Sequence, residues 1–187
     1  MEALVSAAGS QAVEDVFERA GLAAYLGDPP TAMVEEAEVQ ALHHALRAIL
    51  GPEQARSIGR EAGRLTGDYL LANRIPAFAQ TLLKVLPAPL AGRLLLKAVA
   101  RNAWTFTGNG LFTYRPGRPH RLHIAGCAIC HGARSDEPLC DYYGASFERL
   151  FQILVSARAQ VIEVECQAQG HAACTFEVHL VAPPGRR

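Results

Sequence analysis

The spacing of apolar residues predicts that the first half of the chain is helical. The apolar stripe between Met33 and Leu50 is Met33, Val34, Val39, Leu42, Leu46 and Leu50, and its last four members recur every three or four positions, as on one face of a helix. Gly51-Pro52 ends that helix and begins another, because proline is tolerated in the first helical turn. The predicted helices run from Ser10 to the Gly27-Asp28 turn and over residues 31–50, 52–73, 75–86 and 89–102.

The second half changes to the short, alternating runs that are typical of strands. β-Branched and aromatic residues are separated there by turns such as Gly108-Asn109-Gly110. Strands are predicted at residues 104–106, 111–114, 122–124, 160–166 and 174–181, with one helix inserted over 139–156. Helices followed by a mostly antiparallel sheet define an α+β fold. Residues 1–30 are predicted to form an N-terminal helical arm, with a packed first helix as the alternative, and residues 31–187 a single domain.

Glycines recur at every fourth position of the third predicted helix, at Gly59, Gly63 and Gly67. Each glycine inside a helix costs about 1 kcal/mol relative to alanine, so a stripe of them requires a compensating contact. The stripe predicts the close approach of another helix, with a flat ligand against the backbone as the alternative.

Charge and hydropathy narrow the classes of partner. The chain has 18 basic and 18 acidic residues, whereas nucleic acids and anionic membranes select a basic surface. We therefore expect neither as the main partner, and the neutral net charge is compatible with a homodimer. The sequence has no apolar run of the ~20 residues that span a bilayer, and no basic segment at its N-terminus. We expect a cytoplasmic protein, with attachment to the periphery of a membrane as the alternative.

Five cysteines without an export signal predict reduced thiols or metal ligands rather than disulfides. Cys140 lies in the first turn of the inserted helix, where the positive helix end lowers the pKa of a thiol. Cys166 ends one predicted strand and Cys174 begins the next, so a hairpin brings these two thiols together. Three thiolates are typical of a tetrahedral zinc site, which takes one further ligand.

The fourth ligand is open among several residues. Glu163 is the leading candidate, and the others are Glu165, His171 and Cys130. In a regular strand the side chains of Glu163 and Cys166 point to opposite faces, so the choice of Glu163 predicts a bend or bulge between them.

The segment Cys127-Ala-Ile-Cys130-His131 allows several interpretations. It would complete a four-cysteine zinc site, form a redox pair, or attach a c-type haem. The haem requires an exported protein, and a redox pair usually lies beside a βαβ unit, which the predicted elements lack. We therefore expect Cys127 and Cys130 to be buried free thiols.

These motifs resemble one known family. C-D-Y-Y-G-A-S-F-E-R-L-F from Cys140 and E-V-E-C-Q-A-Q-G-H-A-A-C-T-F-E-V from Glu163 are similar to the vinyl-4-reductase domain family. The similarity continues upstream through M-V-E-E, the glycine stripe and A-W-T-F-T-G-N-G, so that it covers residues 33–181. It points to the branch of bacteriochlorophyll 4-vinyl reductase-like proteins of phototrophic bacteria. It departs at Cys127 and Ala128, where the family often has Asn-Pro.

The resemblance implies both a fold and a metal. The fold is expected to be similar to that of haem nitric-oxide-binding domains and vesicle-tethering subunits. A structural zinc is implied at Cys140, Glu163, Cys166 and Cys174, which match the spacing of the family's aromatic-sensing members. The implied ligand is a divinyl Mg-tetrapyrrole or porphyrin, and the implied partners are other enzymes of bacteriochlorophyll synthesis.

The family name implies reduction of a vinyl group, but the usual binding devices for a hydride donor are missing. The sequence has no G-x-G-x-x-G after a strand, no P-loop and no iron–sulfur cysteine run, so we predict no nucleotide cofactor. A four-ligand zinc site has no open position for catalysis, and we assign no catalytic residue. The prediction is a substrate carrier or accessory factor for 4(8)-vinyl reduction or a neighbouring step. The reductase itself is the alternative, and a small-molecule sensor is the third.

An apolar chamber for this ligand is expected from the helices over residues 70–103 and the aromatic residues after them. A magnesium tetrapyrrole takes an axial imidazole, and of the adjacent His43 and His44 on one helix at most one points inward. The candidate pocket residues are Trp104, Phe106, Phe112, Tyr114, His43 and His123. The candidate partners of a tetrapyrrole carboxylate are Arg74, Arg93 and Arg101.

Overall fold

The computed structural model describes residues 1–180. The helices are α1 (Glu2–Arg19), α2 (Ala24–Gly27), α3 (Glu36–Asn73), α4 (Ala77–Val85), α5 (Ala88–Arg101), α6 (Trp104–Thr107) and α7 (Asp141–Leu154). The strands are β1 (Leu111–Arg115), β2 (His120–Ala125), β3 (Gln160–Glu165) and β4 (Cys174–His179), with a 3₁₀ turn at Gln167–Gln169. The predicted end of the last strand at Val181 lies outside the described residues. None of the helices within residues 1–180 is long and apolar enough to cross a bilayer.

The four strands form one antiparallel sheet in the order β1-β2-β4-β3. Its inner face carries buried residues such as Ile124 and Phe176, and α7 packs against it. The ring of Phe147 on α7 lies 6.1 Å from that of Phe112 and 5.8 Å from that of Phe176, measured between centroids. The predicted α+β class and antiparallel sheet are confirmed.

Helix α3 consists of two helical segments joined by a kink at Gly51, where φ is 79° and ψ is 165°. Pro52 begins the second segment, as the sequence predicts. The first segment begins at Glu36 rather than at Thr31. The predicted start is wrong because Glu35 and Glu38 form a reciprocal capping box that fixes the first turn.

The first helix also begins earlier than predicted. Helix α1 starts at Glu2 and is kinked at Gly9, where φ is 80°. Ser10, the predicted cap, therefore begins the second segment of α1 rather than the helix itself. The buried residues of α1, including Val16 and Phe17, pack against α3.

The predicted strand at residues 104–106 is a short helix. In α6 the backbone N–H groups of Phe106 and Thr107 both donate to the carbonyl of Ala103, at 3.0 and 2.9 Å. Gly108 then ends the helix with a φ of 57°. The aromatic and β-branched composition favours a strand, but this segment has no neighbouring strand to pair with among residues 1–180 and satisfies its backbone locally.

Helices α3 and α7 cross closely along the glycine stripe. A Cβ atom on Gly63 would overlap the carbonyl oxygen of Tyr142, and one on Gly67 would lie 2.7 Å from the Cβ of Arg149. At Gly59 the same atom would lie 3.7 Å from the nearest backbone atom, which is an ordinary contact. The predicted close approach of a second helix is confirmed, and its strictest position is Gly63.

Candidate metal centre

All five cysteines are buried, and their thiols form one cluster between the start of α7 and the β3–β4 hairpin. The Sγ atoms of Cys140 and Cys174 are 3.5 Å apart. The Sγ atom of Cys166 lies 3.9 Å from that of Cys140 and 3.8 Å from that of Cys174. The structure thus brings together the three thiols that the sequence selected.

Each of these three thiols lies at the end of a secondary-structure element. Cys140 is the N-cap of α7, and Cys174 is the first residue of β4. Cys166 precedes the 3₁₀ turn, after which Gly170 adopts a left-handed conformation with φ of 92° and reverses the chain. The backbone N–H of Gln167 in that turn donates to the Sγ atom of Cys174 at 3.5 Å. The tight hairpin therefore holds both strand-end thiols against the helix.

Glu163 reaches the cluster through a β-bulge. The register between β3 and β4 shifts between Glu163 and Glu165, as the choice of Glu163 requires. Its Oε2 atom accepts a hydrogen bond from the backbone N–H of Cys140 at 2.8 Å. Its Oε1 atom is buried and has no hydrogen-bond partner within residues 1–180. Burial, reinforced by the Cys166 thiol, raises the pKa of Glu163 to about 9. A cation at this point would satisfy the unpartnered oxygen.

The other candidates for the fourth ligand have different surroundings. Glu165 is exposed and accepts a hydrogen bond from the hydroxyl of Thr175 at 2.7 Å on the outer face of the sheet. His171 is also exposed. Cys130 is buried, and its Sγ atom lies 3.4 Å from that of Cys174.

Cys127 and Cys130 are buried as predicted, but they belong to the cluster. The Sγ atom of Cys127 lies 3.4 Å from that of Cys140. Two groups consequently have all their ligand atoms within 4.8 Å of one another: Cys140, Glu163, Cys166 and Cys174, and Cys127, Cys130, Cys140 and Cys174. The C-x-x-C spacing signalled the second group, but the sequence alone does not show that β2 delivers it to the same place as the hairpin.

The donor set fits a tetrahedral zinc ion. Zinc–thiolate bonds of about 2.3 Å separate two sulfur ligands of a tetrahedron by about 3.8 Å. The separations of 3.8 and 3.9 Å around Cys166 match this value, whereas the 3.4 Å separations made by Cys127 and Cys130 are shorter. The Cys140–Cys174 separation of 3.5 Å is common to both groups, and either group offers four donor atoms to one metal ion.

The environment of Cys140 differs from the expectation based on its helix. Contact with the thiol of Cys127, followed by contacts with the other three thiols and by burial, raises the pKa of Cys140 well above its ordinary value. Contact between thiols favours the thiolate on some members of the cluster and the thiol on others, since the contacts with Cys130 and Cys140 lower the pKa of Cys127. The guanidinium of Arg47 supplies a positive charge near the thiol cluster. It donates two hydrogen bonds to the carbonyl of Ile129, both at 3.2 Å.

A cavity of about 700 Å³ lies beside the cluster, between α1, α3 and the first turn of α7. Tyr142 and Tyr143 line it from α7, and Ala128 and Ile129 line it from the loop that carries Cys127 and Cys130. The remaining wall is mostly apolar: Ala3, Leu4, Val16, Phe17, Val34, Val39, Leu42, Leu46, Ile58, Ala62 and Leu65. The exposed residues Met33 and Tyr69 are also part of the lining, so the cavity opens to solvent.

His43 is a titratable group of the cavity wall whose pKa is clearly perturbed. Burial, followed by the charge of Arg47, lowers the pKa of His43 to about 4, so the imidazole is neutral at pH 7. The ring lies 6.4 Å from that of Tyr142, edge to face. The neighbouring His44 points away, with its Nε2 atom 2.9 Å from the carbonyl oxygen of His131. The prediction that at most one of the two points inward is confirmed.

Two of the six predicted pocket residues, His43 and Phe106, line this cavity. Phe112 is buried in the main core, and Tyr114 packs against it with ring centroids 6.5 Å apart. Trp104 is exposed. His123 lies on the outer face of the sheet, with Nδ1 3.0 Å from the Thr175 hydroxyl.

The lining within residues 1–180 includes no residue of the helices over 70–103, from which the sequence predicts a pigment chamber. Leu83, Leu95 and Leu96 of those helices pack into the core under the sheet instead. The contributions of α1 and of the tyrosines after Cys140 to this wall are not predicted from the sequence. The D-Y-Y sequence was the available signal, since a polar tip on a large ring suits a cavity wall.

Comparison with known proteins gives the family. The chain is 46% identical over 158 residues to the "Bacteriochlorophyll synthase 23 kDa chain" of Cereibacter sphaeroides, which covers 84% of this chain and 75% of that protein. The protein of the same name from Rhodobacter capsulatus is 38% identical over 159 residues, or 85% of this chain and 72% of that one. The chain belongs to this family.

The model of the vinyl-4-reductase (V-4-R) domain also matches the chain, over residues 121–180. That segment holds Cys140, Glu163, Cys166 and Cys174, and the resemblance drawn from these motifs is confirmed. Among solved structures, an H-NOX protein from S. oneidensis in the Fe(II)NO ligation state aligns with a TM-score of 0.54 over 95% of this chain and 93% of that one. At 12% identity this likeness concerns the fold alone, and it confirms the predicted similarity to haem nitric-oxide-binding domains.

Proposed function

We propose that this chain acts in bacteriochlorophyll biosynthesis as a carrier or accessory protein that binds a divinyl Mg-tetrapyrrole precursor. The observation that carries the proposal is the cavity of about 700 Å³ with an apolar wall. Small-molecule sites usually enclose ~300–1,000 Å³ and combine apolar walls with a few polar groups. The names of the two bacteriochlorophyll synthase relatives support the pathway.

His43 is the proposed axial ligand of the magnesium ion. A metal ligand must offer a lone pair, so the imidazole has to be neutral. The low pKa of His43, about 4, meets that condition. The aromatic rings of Phe106, Tyr142 and Tyr143, all part of the lining, offer surfaces against which a flat macrocycle packs.

The metal centre is proposed to support the cavity rather than to take part in chemistry. We assign a structural zinc to Cys140, Glu163, Cys166 and Cys174. These four groups would close the coordination shell and tie the start of α7 to the β3–β4 hairpin. Tyr142 and Tyr143 follow Cys140 closely in α7, so fixing Cys140 also fixes that wall of the cavity.

Reduction of the vinyl group is assigned to a partner enzyme of the pathway. Converting vinyl to ethyl adds two electrons and two protons, and the carrier supplies neither. The carrier's own tasks are to hold the pigment out of water, to bind its magnesium through His43, and to present its edge at the open side of the cavity.

Absorption titration of the zinc-loaded protein with divinyl protochlorophyllide tests the proposal. The bound pigment is expected to show a shifted absorption band at micromolar protein, without a change of the vinyl group. His43→Gln should weaken binding and alter the band, whereas the matched control His44→Gln should leave both unchanged.

Two outcomes would overturn the carrier assignment. One is the absence of any spectral change with folded, zinc-loaded protein. The other is conversion of vinyl to ethyl by the chain alone with NADPH or reduced ferredoxin, which would make this chain the reductase.

A further inference from the structure

The balanced net charge conceals a strongly uneven distribution. Residues 69–135 contain nine of the 18 Lys and Arg residues and none of the 18 Asp and Glu residues. Helices α4 and α5 lie within this stretch and contact each other. We refer to residues 74–104, which contain both helices, as the α4–α5 hairpin.

The basic side chains of the α4–α5 hairpin are all exposed. None of them takes part in an ion pair with another residue in the part of the chain that the structure describes. They are Arg74, Lys84, Arg93, Lys97 and Arg101. The hairpin thus carries five positive charges that no acidic side chain of residues 1–180 offsets at close range.

The same hairpin exposes large apolar side chains at helical spacing. On α4, Phe78 is 78% exposed and Val85 is 73% exposed, with the exposed Leu82 between them. On α5, Leu90 and Leu94 are exposed one turn apart, and the exposed Trp104 follows the helix. A row of this kind on a surface helix usually marks a contact with a partner or a membrane.

The buried stripes of the two helices show that the exposed rows face outward. Leu83 on α4 and Leu95 and Leu96 on α5 are buried in the core under the sheet. The exposed apolar residues lie on other faces of the same helices, turned away from that core. Each helix therefore has apolar residues on two sides, of which one is buried in the core and the other is exposed.

We propose that the α4–α5 hairpin binds the surface of an anionic lipid bilayer, with its exposed apolar side chains inserted among the headgroups. Helices that lie in the bilayer interface combine a row of Leu, Phe and Trp with flanking Lys and Arg. Each basic residue near an anionic surface adds attraction that falls off within a Debye length. Trp104 suits this depth because indole favours the boundary between headgroups and acyl chains.

The composition favours a bilayer over a protein partner. Five basic residues and no acidic residue over residues 74–104 suit the uniformly anionic surface of a bilayer, and the two lysines among them belong to a type depleted in protein–protein interfaces. On a bilayer, Lys84 and Lys97 keep their ammonium groups in the headgroup layer while Leu82 and Leu94 go deeper. The expectation from net charge, that an anionic membrane is not a partner, is revised because the charge is segregated rather than mixed.

This binding surface is independent of pigment binding. The hairpin lies outside the lining of the cavity, so the chain would reach the bilayer with or without a ligand. A membrane-docked carrier would receive an apolar pigment without taking it through water.

Sedimentation with lipid vesicles tests the proposal on the full chain. The protein is expected to pellet with phosphatidylglycerol vesicles at least about tenfold more than with phosphatidylcholine vesicles, and to be released by high salt. Lys84→Glu with Lys97→Glu should abolish this preference. The matched control, Arg19→Glu with Arg158→Glu, changes two exposed arginines elsewhere by the same charge and should retain it.

A second pair of variants tests the apolar contribution. Leu82→Ser with Val85→Ser should lower vesicle binding about tenfold or more by removing two inserted side chains. Ile162→Ser changes a comparably exposed side chain on β3 and should have no effect. Circular dichroism and zinc content of each variant confirm that the fold is intact.

Three results would refute the proposal. The first is equal binding to both kinds of vesicle, and the second is an equal loss in the hairpin and control variants. The third is a change of oligomeric state by Leu82→Ser with Val85→Ser while vesicle binding is absent, which would make the hairpin a contact between copies of the chain.

Discussion

Gly63 on α3 lies directly against the backbone carbonyl of Tyr142 on α7, with no room for a methyl group between the two helices. The hydroxyl oxygen of Ser146 on α7 lies 2.8 Å from the carbonyl oxygen of Tyr142 and 3.1 Å from that of Gly63, so its one proton is within reach of both acceptors at the crossing point. Because Tyr142 follows the N-cap Cys140 by two residues, this crossing also positions the candidate metal centre.

Replacing Gly63 with alanine should destabilise the protein by about 2 kcal/mol, since the added methyl group must push two backbones apart. The matched control is Gly59→Ala, where a Cβ atom meets its nearest neighbour at 3.7 Å. The control should be neutral or stabilising by up to about 1 kcal/mol, because alanine favours a helix over glycine. Denaturant unfolding of both variants measures the difference, and equal effects would contradict the proposed contact.

Substitutions in the thiol cluster should separate the two candidate ligand groups. We expect about one zinc ion per chain in the purified protein. Cys166→Ser or Glu163→Gln should remove it and lower the thermal midpoint, because the metal contributes to folding. Cys127→Ser with Cys130→Ser should retain the zinc. Metal analysis of the purified variants decides, and the reverse pattern would assign the metal to Cys127, Cys130, Cys140 and Cys174.

Removal of the metal should make the cluster sensitive to oxidation. The Sγ pairs Cys127–Cys140 and Cys130–Cys174 are each 3.4 Å apart, so metal-free thiols need only a small movement to form disulfides. Chelated protein treated with diamide should lose reactive thiols in pairs, and zinc-loaded protein should resist. Thiol titration and peptide mass mapping measure this, with reductant as the control that restores the thiols. Equal oxidation rates with and without zinc would contradict it.

Stability should fall in mild acid through His43. The pKa of His43 is lowered to about 4 in the folded chain, against about 6.5 for an unfolded histidine. Between pH 6.5 and about 4, His43 binds a proton in the unfolded state but not in the folded state. This contribution to stability is therefore complete above pH 6.5 and is lost as the pH falls to about 4, by up to about 3 kcal/mol.

The His43→Gln variant isolates that contribution. Its unfolding free energy should depend less on pH between 6.5 and 4 than that of the original chain. Acid release of a metal affects both proteins alike, so the difference between the two curves belongs to His43. Parallel curves would show that His43 titrates normally.

Much of the fold followed from the sequence because its signals are local. Helical spacing, Gly51-Pro52 and the alternation around Leu122 depend on neighbours in the chain. The prediction of a strand at residues 104–106 is wrong because it also rests on a local signal. The composition of this segment suits a strand, but no strand of the described chain lies beside it. A strand forms only where a second strand pairs with it, and the local sequence does not show whether that second strand is present.

The candidate metal centre and the cavity differed in how well they could be predicted. The sequence predicts that Glu163 and Cys166 can share a metal only if the strand has a bulge between them. The structure has a register shift between Glu163 and Glu165. The cavity is built from α1, α3 and α7, and α7 lies far from the other two in the sequence. The shape of its wall depends on how α3 and α7 cross. The glycine stripe predicts that another helix crosses α3, but it does not show which helix that is.

The start of α7 carries a candidate metal ligand, Cys140, and two residues of the cavity wall, Tyr142 and Tyr143. Evolution therefore has little freedom to reshape the cavity from this side, because a shift of the turn also moves the thiol. Most of the remaining wall comes from residues 1–69, which hold no cysteine. We therefore expect ligand preference among related chains to vary through residues 1–69 rather than through the segment with the thiol cluster.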